Sequence, residues 1–321
     1  MENKTPFMWV HLLHLGSNMW NEEGNTRGRE HRSTPCASDT LRFDRDLWRA
    51  HTEELWKAGI NTLIIDVAEA LQYKTHPELS AKGALSHEEM RAEVDRLKAM
   101  GFEVIPKLNF STAHDIWLKE YSRMISTPIY YQVCRDVIEE VAEVFQPKHF
   151  HLGMDEETLG NQRNQMIAII RQHELWWHDF YYLVECVERV GARPWIWADY
   201  FWSYPEECIE KMPKSVVMCG WFYSKCFSEA TRNSESRQNR LSGFARLSEL
   251  GYDQVPTASV WAEPDNLEEL TEYCASRIDP AHWMGMMQTT WERIDKDWMH
   301  VHETALGSIK NAKKIYESIN A

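Results

Sequence analysis

Residues 84–114 read ALSHEEMRAEVDRLKAMGFEVIPKLNFSTAH, and the character of the chain changes once along them. Up to Met100 the apolar residues recur at helical spacing, and Ser86 followed by Glu89 resembles a capping box. Gly101 stands where a helix stops, and the apolar run 103–110 that follows reads as a strand. A helix that ends on glycine and passes directly into a buried strand is half of a repeating α/β unit.

The same alternation extends in both directions. Strand-like runs fall at 7–15, 62–71, 103–110, 149–154, 193–199, 216–221, 257–262 and 284–290. Helical patterns fall at 44–58, 86–100, 127–145, 174–190, 205–212, 243–250, 267–277 and 301–319, with Gly59, Gly191 and Gly251 as further stops. Strands that alternate with helices predict parallel strands joined by right-handed crossovers. Eight such units without a Pro/Ser-rich linker predict an α/β protein of one domain, a closed (β/α)8 TIM barrel over 1–321. An open doubly wound sheet would call for a glycine-rich phosphate loop after the first strand, and none follows it. Two polar stretches, 16–40 and 224–242, interrupt the repeat. Each follows a strand, so both are expected as long loops on the C-terminal rim, where barrel enzymes build their sites.

Composition narrows the partners. The 321 residues carry 49 Asp and Glu against 35 Lys and Arg, a formal charge of -14, which argues against nucleic acid or an anionic membrane. No apolar stretch approaches the roughly 18 residues of a membrane span. The first 20 residues lack the pattern of a signal peptide, so a cytoplasmic location is expected. Seven scattered cysteines without C-x-x-C spacing read as reduced thiols. Fifteen tryptophans are an excess, and Trp offers a flat apolar face with one N–H, which suits a wall for a ring-shaped ligand.

In a barrel the strand ends face one cavity. Here they read His14 with Asn18 and Trp20; Asp66, Glu69 and Tyr73; Lys107, Asn109 and His114; and His151 followed by Asp155, Glu156 and Glu157. The remaining four supply Trp195, Trp197, Asp199 and Tyr200; Trp221 and Tyr223; Trp261 and Glu263; and Trp291 and Glu292. Alternating acids and tryptophans suit a polyhydroxylated ring, the indoles stacking on its apolar face and the carboxylates binding its hydroxyls. The adjacent Asp155 and Glu156 are the sharpest feature. Two neighbouring carboxylates can serve two parts of one substrate, and burial of one beside the other raises its pKa, as a general acid needs. The plain alternative is that both acids open the next helix, where negative charge is favourable.

The other features read structurally. His11, His14, His149 and His151 sit at period-two spacing as core or rim histidines, and His173, Trp176, Trp177 and His178 lie on a helix that packs on the barrel. Met284, Met286 and Met287 fill core. The scattered His and Cys form no ligand set, so no metal and no cofactor are expected.

The segment HFHLGMDEE (149–157) resembles the His-x-Gly-x-Asp-Glu signature of family-20 glycoside hydrolases, the β-N-acetylhexosaminidases. The stretch 84–114 is similar to that family's helix, its Val-Ile-Pro strand and the following His. PWIWADYF (194–201) resembles its fifth strand, and TTWE (289–292) the Trp and Glu at its eighth. The resemblance implies hydrolysis of a β-linked GlcNAc or GalNAc residue by a retaining, substrate-assisted mechanism, an exception to the two-carboxylate scheme. By that resemblance Glu156 protonates the leaving oxygen and then activates water. Asp155 holds the acetamido N–H and stabilises positive charge. Trp195, Trp197, Trp261 and Trp291 are candidates for the acetamido pocket and sugar platform, Tyr223 for a donor to the acetamido oxygen, and Glu292 for distal hydroxyls. The chain departs from the family pattern in having His14 and Asn18 at the end of strand one, with Arg27 and Arg29 only in the loop. It has Lys107 and Asn109 on strand three, and Trp291 directly beside Glu292. Two other readings fit a barrel: a conventional retaining glycosidase with Glu156 as acid/base and Glu263 as nucleophile, and a sugar-binding barrel without turnover.

Overall fold

The computed structural model describes residues 6–25, 36–225, 227 and 235–321. Arg27, Arg29, Cys226 and Arg232 lie outside them. Eight parallel strands run β1 (Met8–His14), β2 (Thr62–Asp66), β3 (Glu103–Lys107), β4 (His149–His151), β5 (Arg193–Trp197), β6 (Val217–Cys219), β7 (Thr257–Ser259) and β8 (Gly285–Thr289). Their order in the sheet is β6-β5-β4-β3-β2-β1-β8-β7. Isolated parallel bridges, Met218 to Gln254 and Trp221 to Thr257, join β6 to the β7 side and complete the circle. This is the expected (β/α)8 barrel.

The helices between the strands follow their sequence signals. α1 (Arg45–Lys57) starts on Asp44, whose carboxylate accepts from the Asp46 and Leu47 N–H groups. α2 (His87–Ala99) carries the full Ser86/Glu89 capping box. α3 (Pro128–Phe145), α4 (His173–Arg189), α5 (Asp199–Ser203), α6 (Pro205–Lys211), α7 (Glu235–Glu249), α8 (Asn266–Ala275) and α9 (Met299–Ile319) follow in order. No helix among the described residues is long and apolar enough to cross a membrane.

Alternation along the strands sorts the core. Met8, Val10, Leu12, Ile64, Ile105, Trp195, Val217 and Met287 fill the barrel interior. Their neighbours Trp9, Leu13, Leu63, Ile65, Val104, Ile196 and Met218 face outward into the layer under the helices. Several strands end before their apolar runs do. β2 stops at Asp66, because the chain turns there into a short 3-10 helix over Ala68–Ala70, with Ala68 at φ 38°. Of the expected loop over 224–242, the part from Glu235 onward is helix α7, and residues 226 and 228–234 lie outside the described residues.

A third long rim segment, 152–172, separates β4 from α4. Arg171, with no accessible side chain, anchors its end: it ion-pairs with Glu157 and with Asp179 of α4 at 2.9 Å, and donates to the Phe110 carbonyl at 2.6 Å. Removing one partner from a buried ion network leaves the others uncompensated. Arg171→Met is therefore expected to cost about 3–5 kcal/mol of stability in a chemical-denaturation measurement. A change below about 1 kcal/mol would show that Glu157 and Asp179 find other partners.

Candidate active site

A cavity of about 470 Å³ opens on the C-terminal rim, within the range of small-molecule sites. Asp155, Glu156, Asn109, His114, Trp197, Trp221, Tyr223, Trp261 and Trp291 line it. With Trp20, five indoles and a phenol thus surround two adjacent carboxyl groups.

The carboxyl pair is set by an unusual backbone. Gly153 (φ 75°), Met154 (φ 70°) and Glu156 (φ 58°) all lie in the left-handed region, as does Trp291 (φ 58°) across the cavity. For residues other than glycine this costs roughly 1–3 kcal/mol each, and such strain clusters at functional sites. At Gly153 a side chain would be excluded: an added Cβ would meet the Asn109 Oδ1 at 2.0 Å. That close approach lets the Asn109 amide donate to Asp155 Oδ1 at 2.9 Å, while Asn109 Oδ1 accepts from the Ser111 N–H at 3.0 Å. The Ser111 hydroxyl in turn donates to the Asp155 carbonyl.

The two acids have opposite electrostatic surroundings. His114 Nδ1 lies 3.2 Å from Asp155 Oδ1, and its Nε2 lies 3.7 Å from Glu156 Oε2. Burial opposes charge on His114, but the two carboxylates outweigh it and push its pKa up to about 9. Burial also works against the Asp155 anion, yet the His114 and Lys107 charges and the Asn109 amide hold it below the usual carboxylate range. Glu156 moves the other way. Burial and the Asp155 charge raise it, with His114 and Arg240 pulling back. Its side chain is 31 % exposed, enough to reach a ligand in the cavity. One permanent anion beside one carboxyl that holds its proton to higher pH is the division of labour that acid/base chemistry requires.

Behind this pair the charges are internal. Lys107 and Asp66 form an ion pair with no accessible surface. His151 and His14 are buried near the Lys107 charge, and burial with that charge lowers both pKa values, so their rings stay neutral. His151 Nδ1 accepts from the Gly153 N–H at 3.0 Å and so supports the strained turn. Glu69, pushed up to about 7 by burial, accepts the Ser17 and Asn18 N–H groups and shapes the exit of β1.

Not every residue expected at the site reaches the cavity. Trp195 is fully buried in the barrel interior, two residues below Trp197, because the strand must rise by one full repeat before its inward side chain meets the rim. His14 and His151 lie beneath the lining for the same reason. Asp199 opens α5 and lines a second cavity that shares Glu156 and Asn161 with the first. Its carboxylate accepts from Trp221 Nε1 at 2.9 Å, and burial with the charges of Asp155 and Glu156 pushes its pKa far up. Glu292 is buried outside the lining, and burial pushes it up to about 7. Glu263 is 42 % exposed, lies 3.9 Å from Lys225 and does not line the cavity.

The structure also adds residues that the sequence reading passed over. Asn161, Arg163 and Asn164 of segment 152–172 form one wall, with Asn21 and the expected strand-end residue Trp20 beside them. The Gln165 amide ties this wall to the Ala113 carbonyl at 2.9 Å and to the Trp20 carbonyl at 3.3 Å. The gap between the fourth strand and the next helix was the available signal. Arg240 of α7 stacks over Trp221, 3.7 Å from its ring centroid, and closes the second cavity.

Fold and site together define a (β/α)8 barrel with a tryptophan-walled acidic cavity at its C-terminal rim. No protein-family model matches the chain, and no curated protein matches it. Solved structures do resemble it. A chitobiase from Flavobacterium johnsoniae is 14% identical with a TM-score of 0.64, over 98% of this chain and 51% of that one. A family-20 exo-β-N-acetylglucosaminidase from Vibrio harveyi, in complex with N-acetylglucosamine, is 14% identical with a TM-score of 0.61, over 99% and 58%. Dispersin B is 13% identical with a TM-score of 0.56, over 98% and 100%. The chain thus spans little more than half the length of the first two. At such identities the likeness establishes the barrel fold, and the same fold hosts many chemistries.

Proposed function

We propose that the chain is a β-N-acetylhexosaminidase-like glycosidase that uses the substrate's own 2-acetamido group as nucleophile. The observation that carries this reading is the asymmetry of the carboxyl pair in the indole-lined cavity. Asp155 is held as an anion by His114 and Asn109, and Glu156 beside it is raised toward the protonated form.

Glu156 donates its proton to the glycosidic oxygen as the bond breaks. The acetamido carbonyl oxygen attacks the anomeric carbon from the opposite face and gives an oxazolinium-like intermediate. Asp155 accepts the acetamido N–H, which orients the carbonyl and balances the growing positive charge. Glu156, now a carboxylate, takes a proton from the water that opens the intermediate, with net retention. Trp197, Trp221 and Trp291 give the sugar its apolar walls, and Tyr223 offers an O–H to the acetamido oxygen. The conventional retaining alternative loses support, because Glu263 stands on the outer rim beside Lys225 and not across the cavity from Glu156.

Paired aryl β-glycosides test the reading. Turnover of the 2-acetamido compound, and none of its 2-hydroxy counterpart, is the expected result. Equal turnover of both would replace the substrate-assisted mechanism with an enzyme nucleophile, and turnover of neither would leave a binding barrel.

A further inference from the structure

His11, His51 and His302 are separated by almost the whole chain, yet they meet under the helical layer where its two ends join. His11 points outward from β1, His51 inward from α1, and His302 inward from α9. All three are buried, at 0%, 3% and 0% exposure. Their ring centroids lie 5.8 Å (His11–His51), 6.4 Å (His11–His302) and 5.0 Å (His51–His302) apart, and one nitrogen from each falls within 4.8 Å of the others.

Core packing alone leaves this cluster unexplained. Neither ring nitrogen of His11 makes a hydrogen bond of acceptable geometry, nor does His51 Nε2 or His302 Nδ1. Four buried imidazole nitrogens without partners are costly, and buried polar groups are otherwise almost always satisfied. The tautomer of His302 is fixed. Its Nε2 lies 3.1 Å from the Arg293 carbonyl, which can only accept, so Nε2 carries the hydrogen and the Nδ1 lone pair is free. A ring N–H on a backbone carbonyl with the other nitrogen free is the arrangement of a metal-ligating histidine. Burial keeps all three rings uncharged, the form that ligates. Gln288 stands opposite His11 in the β1–β8 register, with both amide atoms buried and unpartnered, and is a neighbouring source of a fourth donor.

We propose that His11, His51 and His302 form a structural site for a divalent first-row transition metal, best suited to Zn²⁺, that ties α1 and α9 to β1. Three neutral imidazoles are a borderline-soft nitrogen set, which favours Zn²⁺ over Mg²⁺ or Ca²⁺. With metal–nitrogen bonds of about 2.0–2.1 Å, tetrahedral nitrogens stand roughly 3.4 Å apart, so nitrogens now within 4.8 Å of one another close by up to about 1.4 Å on binding. The site lies on the opposite side of the β1 wall from the barrel interior. It would act on the seam between the first and last units, where Lys313 of α9 already donates to the Gly59 carbonyl at 2.7 Å.

Cobalt reports on the site directly. The full chain is unfolded in denaturant with a chelator, desalted, and refolded with one equivalent of Co²⁺ or Zn²⁺. The expected result is one tightly held ion per chain, with the intense visible bands of a tetrahedral nitrogen site for Co²⁺. Free Zn²⁺ at a hundred times its Kd should favour the folded state by about a hundredfold, read as a Tm higher by a few degrees. His51→Phe, which keeps a ring of similar size, should fold and lose the ion. His114→Asn should keep it, which separates this cluster from His114, Asp155 and Glu156, the other group among the described residues whose ligand atoms lie close enough to hold a cation. No retained ion in the wild-type chain overturns the proposal, as does loss of the ion in His114→Asn with retention in His51→Phe. Should His51→Phe fail to fold, the wild-type spectrum decides: weak octahedral bands, from an oxygen-rich site, also overturn it.

Discussion

Glu156→Gln is expected to lower kcat by about 10²–10⁴-fold on substrates with poor leaving groups, the usual worth of general acid catalysis. Its amide matches the carboxyl in shape but cannot deliver a proton, so KM should stay nearly constant. Aryl glycosides with good leaving groups need little protonation and should lose far less in the bond-breaking step. The pH profile carries the same information. Burial and the Asp155 charge raise Glu156. The protonated, active form therefore persists above the ordinary carboxyl pKa, and kcat/KM declines as pH climbs through the raised value. In Glu156→Gln that basic limb should vanish. Unchanged activity on poor leaving groups would remove Glu156 from the mechanism.

Asp155→Asn should reduce kcat by about 10²–10³-fold with little change in KM, the cost of deleting one preorganised electrostatic partner. Asp155 is fixed by His114 at 3.2 Å and by the Asn109 amide at 2.9 Å, so in the proposed mechanism no reorganisation accompanies charge development on the sugar. An amide at this position loses the charge and can turn its own N–H toward the acetamido N–H. The stabilisation grows from the bound state to the transition state, and for that reason the loss appears in kcat. It should also follow the substrate, being large for 2-acetamido sugars and small for any 2-hydroxy sugar that is turned over. An equal loss on both classes would make Asp155 a general structural acid and remove the main support for the acetamido as nucleophile.

The barrel was legible from local chemistry. The eight apolar runs, the Ser86/Glu89 box and the helix-stopping glycines are short-range signals, and strand alternation leaves few topologies open. Asp155, Glu156, Asn109, His114, Trp197, Trp221, Tyr223, Trp261 and Trp291 were legible as residues at strand ends, and a barrel brings strand ends to one rim. How far each side chain stands above the barrel floor depends on sheet register and tilt, which no local pattern encodes. Trp195 and Trp197 look alike in PWIWADYF, yet one is core and the other lines the cavity. Segment 152–172 has no periodicity to read, and its wall of Asn161, Arg163 and Asn164 exists because Arg171 and Gln165 tie it down. The opposite protonation tendencies of Asp155 and Glu156, adjacent in the chain, arise because burial and the Asp155 charge raise Glu156, while the His114 and Lys107 charges and the Asn109 amide outweigh burial at Asp155. No local pattern relates the histidines at 11, 51 and 302. Closure of the barrel, which sets the last helix against the first strand, makes them neighbours.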